Sequence, residues 1–232
     1  SINFHMKTSD KGFLLHRISY SESSLILVFY TQKQGLAKFI FKGGKKKKIA
    51  MHPLGLYEIA AFKRPESDLG IISTLQWENP SLNILDHPLK ILICFFLSDV
   101  LRQTLKEEQA DTALFNFLEN SLQKLSASPD AKAFPLEFLI EFIQLLGFEP
   151  QTLEDPKFFD LSNAAFLKES SGLPNEISGP IVTFLNDMFL MEASDLELYK
   201  EALPIILKYM KLHLPSFDNE KSLGIIKDIL YT

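Results

Sequence analysis

Among 232 residues there is one cysteine, one tryptophan and only five histidines. The single thiol, Cys94, excludes an internal disulfide and any zinc site built on several thiolates. It lies in an apolar helical stretch, so a buried, inert thiol is expected, and with it a cytoplasmic location. Long hydrophobic runs are lacking too. The longest, Ile91–Leu97, ends at Ser98-Asp99, well short of the roughly 18 to 20 residues of a spanning helix. The amino terminus carries no secretory pattern, and Ser1–His5 ahead of Met6 is expected to take no part in the fold.

Catalytic signatures are missing as well. There is no Gly-x-Ser-x-Gly elbow, no His-Glu-x-x-His pair and no phosphate-cradling P-loop. Gly43-Gly44 with its lysines lacks the Walker spacing and a following Ser or Thr. His16, His52, His87 and His213 are scattered singly, as packed or surface histidines are. Carboxylates such as Glu107-Glu108, Glu197 and Glu201 fall on expected helix surfaces, where solvation is the default. No catalytic residue, metal ligand or cofactor is assigned, and the expectation is a protein that is not an enzyme.

What the chain does have is apolar mass and a lopsided charge. Twenty phenylalanines supply much of a core. The net charge of −5 divides into +9 over residues 1–64 and −14 over the remainder. Such a split argues for two modules with different partners. The acidic bulk repels nucleic acid, so any binding of it belongs to the basic module.

That module reads as five short strands, Gly12–Tyr20, Leu25–Thr31, Leu36–Lys42, Leu54–Lys63 and Leu69–Trp77, separated by turn residues. Five strands in about 70 residues is the size of an OB-fold barrel, an architecture used for single-stranded nucleic acids. Gly35–Lys48 stands out within it. Ala37, Phe39 and Phe41 share one face of a strand; Lys38 and Lys42 share the other with Ile40, and the strand runs into Gly-Gly-Lys-Lys-Lys-Lys. The candidate phosphate-binding residues are Arg17, Lys33, Lys38, Lys42, Lys45, Lys46, Lys47, Lys48, Lys63 and Arg64. Lys38 and Lys42 are expected to be the fixed part of a groove, with Lys45–Lys48 a flexible loop beside it. Tyr20, Tyr30 and Tyr57 are candidate stacking platforms, with packing in the barrel as the plainer role for any one of them.

After Trp77 the period turns helical. Asn79-Pro80 and His87-Pro88 mark the change. Helices are expected at Leu89–Lys106, Asp111–Leu125 and Leu136–Leu146, the last ended by Gly147. Residues 149–174 are irregular, with a minimal hairpin turning over Asp160–Ala165. Helices at Gly179–Met191, Leu196–Leu214 and Ser222–Leu230 complete the chain. Pro204 should kink or divide the second of these, and Asp218 is a plausible cap ahead of the third. The expected class is α+β, an OB-fold domain over 6–78 and a helical domain over 79–232.

Several segments resemble one family. Lys7-Thr8, then GFLLHRISYSESSLILVFYTQKQGLAKFIFKGGKKKK, and Met51-His52-Pro53-Leu54 are similar to the amino-terminal part of the RecO family of bacterial DNA repair and recombination mediators. Asp111-x-x-Leu114-Phe115, Leu146-Gly147-Phe148-x-Pro150, Lys211-Leu212-His213-Leu214 and Lys221-Ser222-Leu223 extend the resemblance in the same order. It implies an OB-fold followed by helices, and binding of single- and double-stranded DNA. It also implies annealing of complementary strands and work with RecR to load RecA on DNA coated by single-stranded DNA-binding protein. The acidic carboxyl-terminal tail of that coating protein is an implied partner of the helical part. Many members carry a four-cysteine zinc module after the Gly-Phe-x-Pro segment. Here that place holds Phe158-Phe159-Asp160-Leu161, so a metal-free remnant is expected. The alternative is an interaction scaffold whose barrel no longer binds DNA.

Overall fold

The computed structural model describes residues 6–78, 83–105 and 109–231. Asn79-Pro80 and Glu107-Glu108 lie outside the described residues. The first five strands are β1 (Met6–Ser19), β2 (Leu25–Thr31), β3 (Gly35–Phe41), β4 (Leu56–Lys63) and β5 (Gly70–Trp77). They close into a barrel in the order β1-β2-β3-β5-β4, as the strand count predicts for an OB-fold. β1 is longer than its apolar pattern suggests. Met6–Phe13 pairs with β4 and Gly12–Ser19 with β2. Gly12 belongs to both ladders, facing Tyr57 on one side and Thr31 on the other. A Cβ there would come within 3.0 Å of the Phe29 Cβ, so glycine lets the shared strand pass close over the core.

Period-2 alternation fills the interior. Leu27, Phe29, Phe39, Phe41, Tyr57, Ile59 and Ile72 are buried together, with Phe29 edge-on to Phe39 at 6.0 Å and to Tyr57 at 6.2 Å. Tyr30 and Tyr57 are thus removed as stacking platforms. Tyr57 is buried in the barrel; its hydroxyl donates to Ala50 O at 2.6 Å and accepts from His52 N at 3.1 Å. Burial pushes that phenol up to about 12. Tyr30 is also buried, and its hydroxyl accepts from Asp111 N at 3.1 Å.

That Tyr30 bond belongs to a seam between barrel and helices. Two helices, α1 (Pro88–Thr104) and α2 (Thr112–Ala127), follow β5. Asp111 caps α2 by accepting from Leu114 N at 3.1 Å, and Phe115 packs on Phe13 of β1 with ring centroids 5.0 Å apart. Lys90 of α1 reaches the other end of α2 and donates to Ser126 O at 2.8 Å, where a cation suits the helix dipole. The strand-to-helix change near residue 78 is therefore not a break in packing. The compact units are Ser1–Ser128 and Pro129–Thr232, and the first takes α1 and α2 with the barrel.

In the second unit, α3 (Phe134–Leu146) ends at Gly147 in the left-handed conformation, as expected. The irregular segment folds into β6 (Phe158–Asp160) and β7 (Ala165–Leu167), the anticipated hairpin, joined by β8 (Glu176–Ser178) on the other side of β6. Strand β8 has only three residues and no periodicity to announce it. Then come α4 (Pro180–Leu190), α5 (Tyr199–His213) and α6 (Asn219–Tyr231). Pro204 does not divide α5. The helix starts at Tyr199, so the proline sits near its amino-terminal end, where it removes only the bond to the Lys200 carbonyl. α6 begins three residues before its expected start, directly behind Asp218, whose carboxylate accepts from Lys221 N at 3.0 Å.

The core beside β6 is aromatic. Phe159 stacks on Phe166 at 4.1 Å, and both lie against a group containing Phe189 and Tyr209. No cysteine occurs in this region, and among the described residues no three His, Cys, Asp or Glu side chains converge as metal ligands. The residues present do not fit a zinc ion. The hairpin turn is instead organised by the buried Asp160. Its carboxylate accepts from Ser162 N and Asn163 N, both at 3.1 Å, and from Asn163 Nδ2 at 2.8 Å. Burial opposes its ionisation, but the bonds from Asn163, Ser162 and Ser171 outweigh burial and hold the carboxyl below its usual range.

Two stability effects are expected. Gly35 has φ +73°, and a Cβ would sit 2.5 Å from the Gln109 backbone. Gly35→Ala should therefore cost about 2–3 kcal/mol, read by denaturant unfolding. Asp160→Asn should cost about 1–3 kcal/mol. Because the folded carboxyl is depressed, its stabilisation is present above the unfolded value of about 3.9 and is lost as pH falls through the folded value. An acid titration of stability should lose that part of its slope in the variant.

Candidate nucleic-acid interface

The seam between β3 and β5 shapes the barrel's outer surface. These strands are parallel and pair only at Phe39 with Gly70 and Ile40 with Ile71. The first half of β3 has no partner in β5, and an opening of about 820 Å³ results, lined by Leu36, Lys38, Lys63, Glu66 and Asp68 among others. A second groove of about 460 Å³ contains Lys42, Arg64, Tyr20, Phe62, Ile40 and Ile71. Ser67 and Leu69, from the segment joining β4 to β5, line both.

The ten candidate cations therefore do not form one groove. Lys38 and Lys63 share the larger opening, where Glu66 and Asp68 offset them. Lys42 and Arg64 share the smaller one, whose lining includes no carboxylate. Lys63 and Arg64, adjacent in sequence, fall into different grooves. The smaller groove is the better phosphate site, because its field is not cancelled locally.

Lys45–Lys48 form a hydrogen-bonded turn rather than the expected loose loop. Lys45 N donates to Ser23 O at 3.1 Å, and its Nζ donates to Ser21 O at 2.5 Å. Lys46 N donates to Gly43 O at 3.0 Å, and the Lys47 ammonium lies 4.6 Å from the centre of the Phe41 ring. All four lysines are exposed. Because Ser23 also lines the smaller groove, the turn adds its charge beside Lys42 and Arg64.

Two other candidates lie elsewhere. Lys33 is in the turn before β3, roughly 20 Å along the strand from Lys42. Its Nζ donates to Ser9 O at 2.8 Å, while its backbone N–H donates to the buried Asp10 carboxylate at 3.1 Å. Arg17 pairs with Leu27, a core residue, so it lies on the inward-facing row of β1 at an exposed position. Its charge is felt by the buried Tyr57. Lys7 was missed. It is exposed and pairs with Phe62 across β1 and β4, but it precedes the apolar run from which the first strand was read.

The remaining polar groups serve structure. Burial raises the Cys94 thiol to about 12 and lowers the His52 imidazole. His52 donates from Nδ1 to Pro53 O at 2.9 Å and meets Trp77 edge-on at 5.6 Å. His213 donates from Nε2 to Leu161 O at 2.8 Å. Each is committed to a structural contact. Among the described residues, no helix is long and apolar enough to cross a membrane.

Comparison with known proteins gives this geometry a context. Residues 6–80 match the family model described as recombination protein O N terminal, and residues 86–157 match its C-terminal counterpart. The sequence is 32% identical over 235 residues to a DNA repair protein RecO of Phocaeicola vulgatus, covering 94% of this chain and 97% of that one. The chain belongs to the RecO family. It is 30% identical to a RecO of Bacteroides fragilis and 28% to one of Christiangramia forsetii, again over 94% of this chain and 97% of each relative. The RecO relatives are named DNA repair proteins, and the five-stranded barrel followed by helices is the RecO arrangement.

The division of charge between the grooves has a measurable consequence. On a heparin column, Lys42→Glu/Arg64→Glu should elute at clearly lower salt than Lys38→Glu/Lys63→Glu, although both change the net charge equally.

Proposed function

We propose that this protein is a non-catalytic recombination mediator that binds DNA through its barrel. The observation carrying this reading is the Lys42–Arg64 groove, free of lining carboxylates and bordered by the Lys45–Lys48 turn. Cations on two elements there neutralise successive phosphates without reading bases. Neutralisation lowers the repulsion between two strands held on one protein, which is how binding promotes annealing. Family membership supports the rest of the reading. The protein acts with RecR and helps load RecA on strands coated by single-stranded DNA-binding protein. Helices after the barrel take up the acidic tail of that coating protein. The setting is the bacterial cytoplasm, at the nucleoid. Lys38, Lys63, Arg17 and Lys33 contribute long-range attraction, and Lys7 joins the binding face.

Anisotropy titrations of a labelled single strand over a salt series test the assignment. The log–log slope should be about −0.7 for each phosphate neutralised. Lys42→Glu/Arg64→Glu should weaken binding and flatten the slope by about 1.4, two phosphates' worth. Unchanged affinity at low salt would remove DNA binding from the barrel and leave the scaffold alternative.

A further inference from the structure

The outer surface of the barrel has an apolar feature that phosphate binding does not use. Register sets Ile26 of β2 beside Ile40 of β3, Ile40 beside Ile71 of β5, and Ile71 beside Phe62 of β4. Partners directly opposite share a face, so four apolar side chains run abreast across four strands. This is the side of the sheet that ordinarily turns polar residues to water. Phe62 remains 37% exposed, and Tyr20, on the rim of the same groove, 56% exposed. Lys42 and Arg64 flank them.

We propose that this groove is a base-binding step: Ile40, Ile71 and Phe62 with Tyr20 receive unpaired bases while Lys42 and Arg64 hold the adjoining phosphates. The barrel thereby selects single strands over duplex. The inference rests on the DNA-binding reading above and names the form of DNA that its site takes. In duplex, base faces are stacked away and only backbone and groove edges are offered. A single strand presents those faces, and stacking on an aromatic ring is tolerant of sequence. An apolar floor gains nothing from phosphate alone, so its place between two cations fits a ligand that is anionic on one side and flat and apolar on the other. A second copy of this chain fits poorly. An isologous contact would turn the same cationic patch of each copy toward the other.

Three ligands of equal length separate the possibilities: a single strand, the same strand made wholly of abasic sites, and a blunt duplex. The protein should bind the intact strand more tightly than the abasic one, by about 5- to 100-fold for each base stacked. Tyr20→Ala/Phe62→Ala should bring intact-strand affinity down to the abasic level while leaving abasic and duplex binding unchanged. Phe62→Leu, which keeps the apolar floor without the ring, should fall between. Unaltered circular dichroism and thermal midpoint would show that these exposed substitutions leave the fold intact.

Equal binding of intact and abasic strands by the unsubstituted protein overturns the base step while sparing the phosphate reading. So does a double variant that weakens all three ligands alike. Failure to bind any of the three overturns both. If the double variant abolishes binding of an acidic, apolar peptide and leaves strand binding untouched, the groove belongs to a protein partner instead.

Discussion

Everything in the barrel depends on one strand pairing twice. β1 gives its first half to β4 and its second half to β2, and the transfer is made at Gly12. A side chain there would press on Phe29, Ile59 and Thr31, all on the inner path of the strand. Without that passage the other four strands would form an open sheet with two edges, and exposed edges invite pairing with other chains. Closure also fixes where the cations go. Once β3 is held by β2 on one side and by two positions of β5 on the other, Lys42 faces Arg64 across a groove.

Charge behaves differently at the scale of the module and at the scale of the site. Over residues 1–64 the balance is strongly positive, yet the larger opening brings Glu66 and Asp68 to its two lysines. These acids lie just past the basic segment, in the link between β4 and β5. Net charge steers a polyanion toward the barrel from a distance, and the placement of those carboxylates decides where it settles.

Much of this was legible from residue order. The alternation of Ala37, Phe39 and Phe41 against Lys38, Ile40 and Lys42 is strict, and a strand half-buried in a barrel requires it. The helix ended by Gly147 was equally plain. The beginning of β1 was not, because Met6–Lys11 alternates little; its pairing comes from β4, some 50 residues away in sequence. Tyr30 and Tyr57 could not be told from Tyr20 by type, since all three lie in or beside strands and only closure of the barrel buries two of them. The isoleucine row was invisible for a related reason. Ile26, Ile40 and Ile71 become neighbours only through register, which no single strand carries. The composition shift near residue 78 marked a change of secondary structure, while packing continued through α2.

The short β3–β5 seam has a mechanical side. A closed ring of strands is as stiff as its least-paired junction, and here that junction is two rungs long while the β2–β3 ladder runs the length of both strands. Deformation concentrates where the fewest hydrogen bonds resist it. Ser67 and Leu69 stand at this junction and form a wall of both grooves, so a ligand that wedges one groove wider narrows the other. The barrel has two mouths on one hinge, and occupancy at either is felt at both.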